Sequence, residues 1–145
     1  MIKDSYPLLP SKSENAFFFR SVGVKGTILK VIIFEHLKGN RYNLAFGDVV
    51  NNQLDDEVIS NNQDLIKVIS TVAVGVYEFL ENHPKAIVEI DPIDSKRALL
   101  YNRIFQRRHL EIITILDIFG IIDQEKEVYN PEKLYHEFEI HSKKA

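Results

Sequence analysis

Residues 62–82 constrain the fold more than any other stretch. Leu65, Val68, Ile69, Val72, Val76, Phe79 and Leu80 recur there at steps of three and four, the spacing of one helix face. Ile66, Ala73 and Val74 widen that face. A helix this apolar needs a second layer to cover it. Its start is marked by Ser60 and Gln63 at capping-box spacing, with Asn62 as a rival N-cap. Its end is set by Pro84, which pushes His83 out of the helical region.

The covering layer is legible upstream. "AFFFRS" and "GTILKVIIFEHL" are rich in aromatic and β-branched residues and are separated by "VGVKG", whose glycines suit a turn. A second turn, with Gly39-Asn40 at its tip, leads into "YNLAFG", where Tyr42, Leu44 and Phe46 alternate with Asn43, Ala45 and Gly47. Three strands joined by short turns predict an antiparallel meander. "DVVNNQLDDEVISNNQD" breaks the pattern and reads as a loop before the helix.

Downstream, "AIVEI" reads as a short buried strand and "DPIDS" as a turn into a second helix capped by Asp94 or Ser95. Ala98, Tyr101, Ile104 and Phe105 share a face of that helix. "TILDIFGII" reads as a strand closed by the turn "DQEKE", and "YHEFEIH" as a last strand after a turn or short helix from Pro131. The expected fold is a single α+β domain spanning residues 1–145. It has a mixed, mainly antiparallel sheet, two packed helices and the order β-β-β-α-β-α-β-β.

Composition restricts function more than it suggests one. The chain has 145 residues, 45% of them hydrophobic and 27% charged, ordinary for a soluble domain. It holds no apolar run of membrane-spanning length, and the first residues lack a signal-peptide core, so a membrane location is not expected. No cysteine is present, which removes disulfides, thiolate metal sites and cysteine nucleophiles and suits a cytoplasmic protein. The net charge of −3 gives no global case for nucleic acid. No P-loop, G-x-G-x-x-G, H-E-x-x-H or G-x-S-x-G occurs. The five histidines show no helical pair at four-residue spacing, so zinc is not expected and no cofactor is implied.

Charge is uneven along the chain. Residues 51–95 carry nine acids against Lys67 and Lys85, whereas 96–109 carry five Lys/Arg and no acid. Asp91 and Asp94 fall between the end of a strand and the start of a helix, where ligands often bind in α/β sheets. Arg97 lies one turn further on, and a structural account has it pair with Asp94 while Asp94 caps. That account leaves Arg103, Arg107 and Arg108 over, with Arg103 and Arg107 four apart on one face. Such a ridge can meet phosphates or an acidic protein. Asp48, beside Gly47 at a strand end, is a further candidate.

The stretches "FFFRSVGVKGTILKVIIF", "YNLAFGD", "SNNQDLIKVISTVAVGVYEF" and "RALLYNRI" resemble a family of small uncharacterised bacterial proteins, common in Bacteroidota and known as a domain of unknown function. In that family a Gly-Ser-Thr-like turn precedes an arginine and a Leu-Tyr pair. Arg97 and Leu100-Tyr101 match, while Pro92-Ile93-Asp94 replaces the small turn. The resemblance implies no activity.

Two functions follow as expectations. The first is a non-enzymatic binding module that contacts a protein partner or a nucleic-acid backbone through the basic helix. Its binding residues would be drawn from Asp48, Asp91, Asp94, Arg97, Tyr101, Arg103, Arg107 and Arg108, and toxin–antitoxin or defence association is its guessed setting. The second is a metal-dependent phosphodiesterase or nuclease using Asp48, Asp91 and Asp94, since the element order is similar to the ribonuclease H-like order. Against it, "AFFFRSVG" offers no acid where that fold needs one.

Overall fold

The computed structural model describes residues 4–9, 11–51, 53–55, 62–91 and 95–144, with only the backbone at 53–55 and 95–97. Its strands are β1 (Ala16–Gly23), β2 (Gly26–His36), β3 (Arg41–Val50), β4 (Gln53–Asp55), β5 (Ile87–Ile90), β6 (Leu116–Ile122), β7 (Glu125–Val128) and β8 (Glu137–Ser142). The helices are α1 (Leu65–Asn82), α2 (Ser95–Arg107) and the short α3 (His109–Ile112). All strands join one sheet in the order β1-β2-β3-β5-β8-β6-β7, with β4 paired to β3. Every pairing is antiparallel except β3 with β5, which β4 and α1 separate along the chain. This is the expected mixed α+β fold.

One face of the sheet makes the core. Phe34 pairs with Leu44 and Ile32 with Phe46 across β2 and β3, while Val88, Ile140 and Ile118 line up across β5, β8 and β6. All are buried. Alternation of side chains puts them on the same side, where α1 lays Val68, Val72, Val76 and Phe79 over them. The Phe34 and Phe79 rings stack at 4.2 Å between centroids. Gly75 lets α1 come this close, because a Cβ there would meet Ile32 Cδ1 at 2.7 Å.

Two segments expected to be irregular are strands. The "VVNNQLD" loop is a hairpin in which Val49 faces Leu54 and Asn51 adopts a left-handed φ of 52°, a conformation asparagine tolerates. The "DQEKE" turn is shorter than expected: only Asp123 and Gln124 turn, both with positive φ, and Glu125 already pairs with Ile122. Positive φ at both central residues is the geometry that two-residue hairpins favour.

The start of α1 also differs from expectation. The N-cap is Asp64, and its side chain makes no capping hydrogen bond. Asn62, the rival cap, is buried and faces the β1–β2 hairpin instead: its Nδ2 donates to Gly26 O (2.9 Å) and its Oδ1 accepts from the Lys25 N–H (2.6 Å). Ser60 lies outside the described residues. Among those residues no helix is long and apolar enough to cross a membrane.

Candidate functional site

The helix α2 turns Ala98, Tyr101, Asn102, Ile104 and Phe105 inward. Asn102 fixes its position: its Nδ2 donates to Ala98 O and to Tyr135 O, and its Oδ1 accepts from the Tyr135 N–H. Tyr101 is 4% exposed and meets the Phe46 ring edge-on at 5.8 Å. It is therefore a core residue and offers no contact surface. Gly120 makes room for Tyr135, since a Cβ there would come within 2.2 Å of the ring.

The opposite face of α2 carries Leu99, Arg103, Gln106 and Arg107, all exposed. Between this face and the first turns of α1 runs a groove of about 400 Å³. Ile69 forms its floor, Leu65 and Ile66 one wall, and Arg103, Gln106 and Arg107 the other. Gln106 Nε2 donates to Pro131 O (3.1 Å). Neither Arg103 nor Arg107 makes an ion pair among the described residues.

Arg108 differs from them. It sits at the break between α2 and α3, where its Nε donates to Ser70 Oγ of α1 (3.1 Å) and Nη1 to Glu111 Oε1 (3.0 Å). Ser70 is fully buried, so this arginine fastens α2 to α1. Of the basic ridge seen in the sequence, Arg108 thus holds the fold together and Arg103 with Arg107 faces outward. The Arg97 side chain and all of Asp94 lie outside the described residues, as does the cap they were expected to form.

The acidic candidates fall elsewhere. Asp48 and Asp91 both lie at the carboxyl ends of the parallel neighbours β3 and β5. Asp91 is exposed. Asp48 is 4% exposed, and its carboxylate accepts from Lys30 Nζ at 2.5 Å. The two are direct partners across β2 and β3 on the core side of the sheet. A cation at Asp48 would have to displace this ammonium. Among the described residues no group of three or more His, Asp or Glu is placed to hold a metal ion.

Sequence reasoning did not single out Lys30, although a signal was present. In "TILKVIIF" it shares the parity of Ile28, Ile32 and Phe34, so alternation already pointed it into the core, where a lysine needs a partner. Two further polar clusters escaped notice. Asp64 accepts from the hydroxyls of Tyr6 and Ser21, each at 2.5 Å; burial and this carboxylate push the Tyr6 hydroxyl pKa up. On the sheet face away from the helices, Glu139 is surrounded by Arg41, Lys126 (3.4 Å) and His141 (2.7 Å). Burial alone would raise its pKa, but the His141 hydrogen bond and the charges of Lys126, His141 and Arg41 hold it below the usual carboxylate range.

Fold and groove together define a two-layer α+β domain with a basic-sided cleft between its long helices. The chain belongs to a family of unknown function (DUF6934), whose profile matches residues 2–143, in keeping with the resemblance read from the sequence. No curated protein and no solved structure matches it.

Proposed function

We propose that this chain is a non-enzymatic binding module that takes an anionic partner into the groove between α1 and α2. The observation that carries the reading is the state of Arg103 and Arg107: exposed, one helical turn apart, lining the groove, and without an ion pair among the described residues. Other cations are paired within the chain, as at Lys30–Asp48 and around Glu139, or, like Arg20, Lys25 and Lys38, stand exposed without an ion pair among the described residues on strand and turn surfaces. Arg103 and Arg107 differ from the latter in lining a groove together. Two adjacent cations held on a rigid helix beside a concavity attract an anion at little ordering cost. The acidic residues of the phosphodiesterase alternative lack comparable support, because Asp48 already carries the Lys30 ammonium.

The test is a titration of isotopically labelled protein at low salt with polyglutamate and with single- and double-stranded oligonucleotides. The reading expects amide shifts along residues 65–69 and 99–107 with at least one of these polyanions. It also expects their loss in Arg103→Ala/Arg107→Ala. Spectra unchanged by every polyanion would refute it.

A further inference from the structure

Taking the binding-module reading as its basis, we infer that the occupant of the groove is an amphipathic helical segment of a partner protein. That segment presents carboxylates to Arg103 and Arg107 and branched apolar side chains to Leu65, Ile66 and Ile69.

The chemistry of the groove separates this occupant from a nucleic-acid strand. Among the described residues only one wall is cationic. The other wall and the floor are aliphatic, with Leu65 37% exposed and Ile69 buried. Leu99, a turn before Arg103 on the same outward face of α2, is 51% exposed. A phosphate backbone would leave these leucines against charged oxygens. The described groove also offers no aromatic ring on which a base could stack. Two arginines neutralise about two phosphates, a salt slope of only ~1.4–1.8, too weak to hold nucleic acid on a chain of net charge −3.

An acidic amphipathic helix satisfies both walls. Arg103 and Arg107 rise about 6 Å along α2, so carboxylates three or four residues apart on a facing helix meet them in register. Leucine or isoleucine on the adjoining stripe then covers Leu65 and Ile66, in the helix-in-groove mode of recognition. Guanidinium–carboxylate pairs fix the register of the complex and contribute to its affinity, and burial of the aliphatic stripe adds to it.

The experiment is selection from a displayed library of random peptides against the full chain, followed by titration of the enriched peptides as synthetic samples. The inference expects enriched sequences with Asp or Glu at three- or four-residue spacing beside Leu, Ile or Phe. It expects at least a tenfold loss of affinity with Arg103→Glu/Arg107→Glu, and recovery when the peptide's acids are changed to lysine. Circular dichroism of the double variant should match the wild type, and Arg103→Ala/Arg107→Ala gives a milder second variant. Enrichment without acidic bias, or affinity indifferent to the double variant, overturns the inference. If oligonucleotides bind through the same arginines and no peptide is enriched, the occupant is wrong and the module reading survives. If neither peptides, oligonucleotides nor polyglutamate bind, both fall.

Discussion

Lys30 and Arg103 are both cations set among aliphatic side chains, yet the protein treats them in opposite ways. Lys30 is 1% exposed on β2, locked to Asp48 across the strand pair. Arg103 stands outward on α2 with Arg107 beside it, and no carboxylate closes on either among the described residues. The first arrangement fixes how the chain folds, since a buried charge is tolerable only with its partner in place. The second leaves two guanidiniums without an ion pair among the described residues, the state on which the proposed binding groove rests. Arg108, one residue beyond Arg107, belongs to the first kind, because it bridges to Ser70 and Glu111. The contrast therefore turns on which neighbours each side chain meets, and proximity in sequence does not predict it.

The largest effect that could break this contrast concerns the buried pair. Lys30→Ala takes the ammonium out of the buried Lys30–Asp48 pair, and removing one member of a buried pair costs about 3–5 kcal/mol. Urea unfolding should show a loss of that order. A loss below about 1 kcal/mol would mean that the pair is not what stabilises this corner of the sheet.

A smaller effect of opposite sign is expected at Tyr129. Its hydroxyl is buried with no hydrogen-bond partner among the described residues, and burial pushes its pKa up to about 12. Tyr129→Phe removes an unsatisfied polar group and should stabilise the protein by about 1 kcal/mol. Destabilisation in the same unfolding assay would show that the hydroxyl has a partner after all.

Glu139 gives a pH-dependent prediction. Its pKa is depressed in the folded state, so its contribution is complete above the ordinary carboxylate value of 4.5 and is lost as pH falls through the lower folded value. Between about pH 5 and pH 3 the wild type should therefore lose melting temperature more steeply than Glu139→Gln. Parallel curves would remove Glu139 from the account of acid stability. The smallest expected effect is that of Arg103→Ala/Arg107→Ala on folding, within about 0.5 kcal/mol of wild type as for ordinary surface positions.

Much of the fold was legible because period and burial agree. The helical repeat from Leu65 to Leu80 and the alternation from Tyr42 to Phe46 report local geometry that tertiary packing only reinforces. One miss was local: β7 follows β6 after two residues because Asp123 and Gln124 both adopt positive φ, which Asp tolerates but Gln does not advertise. The rest of what escaped depended on residues distant in sequence. Asn62 has the chemistry of a cap, but the Lys25 N–H and Gly26 O claim its side chain. The candidate site shows the same division. The ridge at 97–108 was visible as a run of cations, and helical spacing correctly put Arg103 and Arg107 together. It could not show that Ser70 would take Arg108, that Tyr101 would sit against Phe46, or that Lys30 would occupy Asp48.

The most direct test of the contrast is to measure stability and binding on the same two samples. Lys30→Ala and Arg103→Ala/Arg107→Ala would each be unfolded in urea and, under native conditions, titrated with polyglutamate at low salt. The account predicts that Lys30→Ala loses about 3–5 kcal/mol of stability and that its folded fraction binds as the wild type does. The double variant should instead keep its stability within about 0.5 kcal/mol and lose binding. If the double variant binds polyglutamate as the wild type does, or unfolds as easily as Lys30→Ala, the outward arginines are not the contact surface.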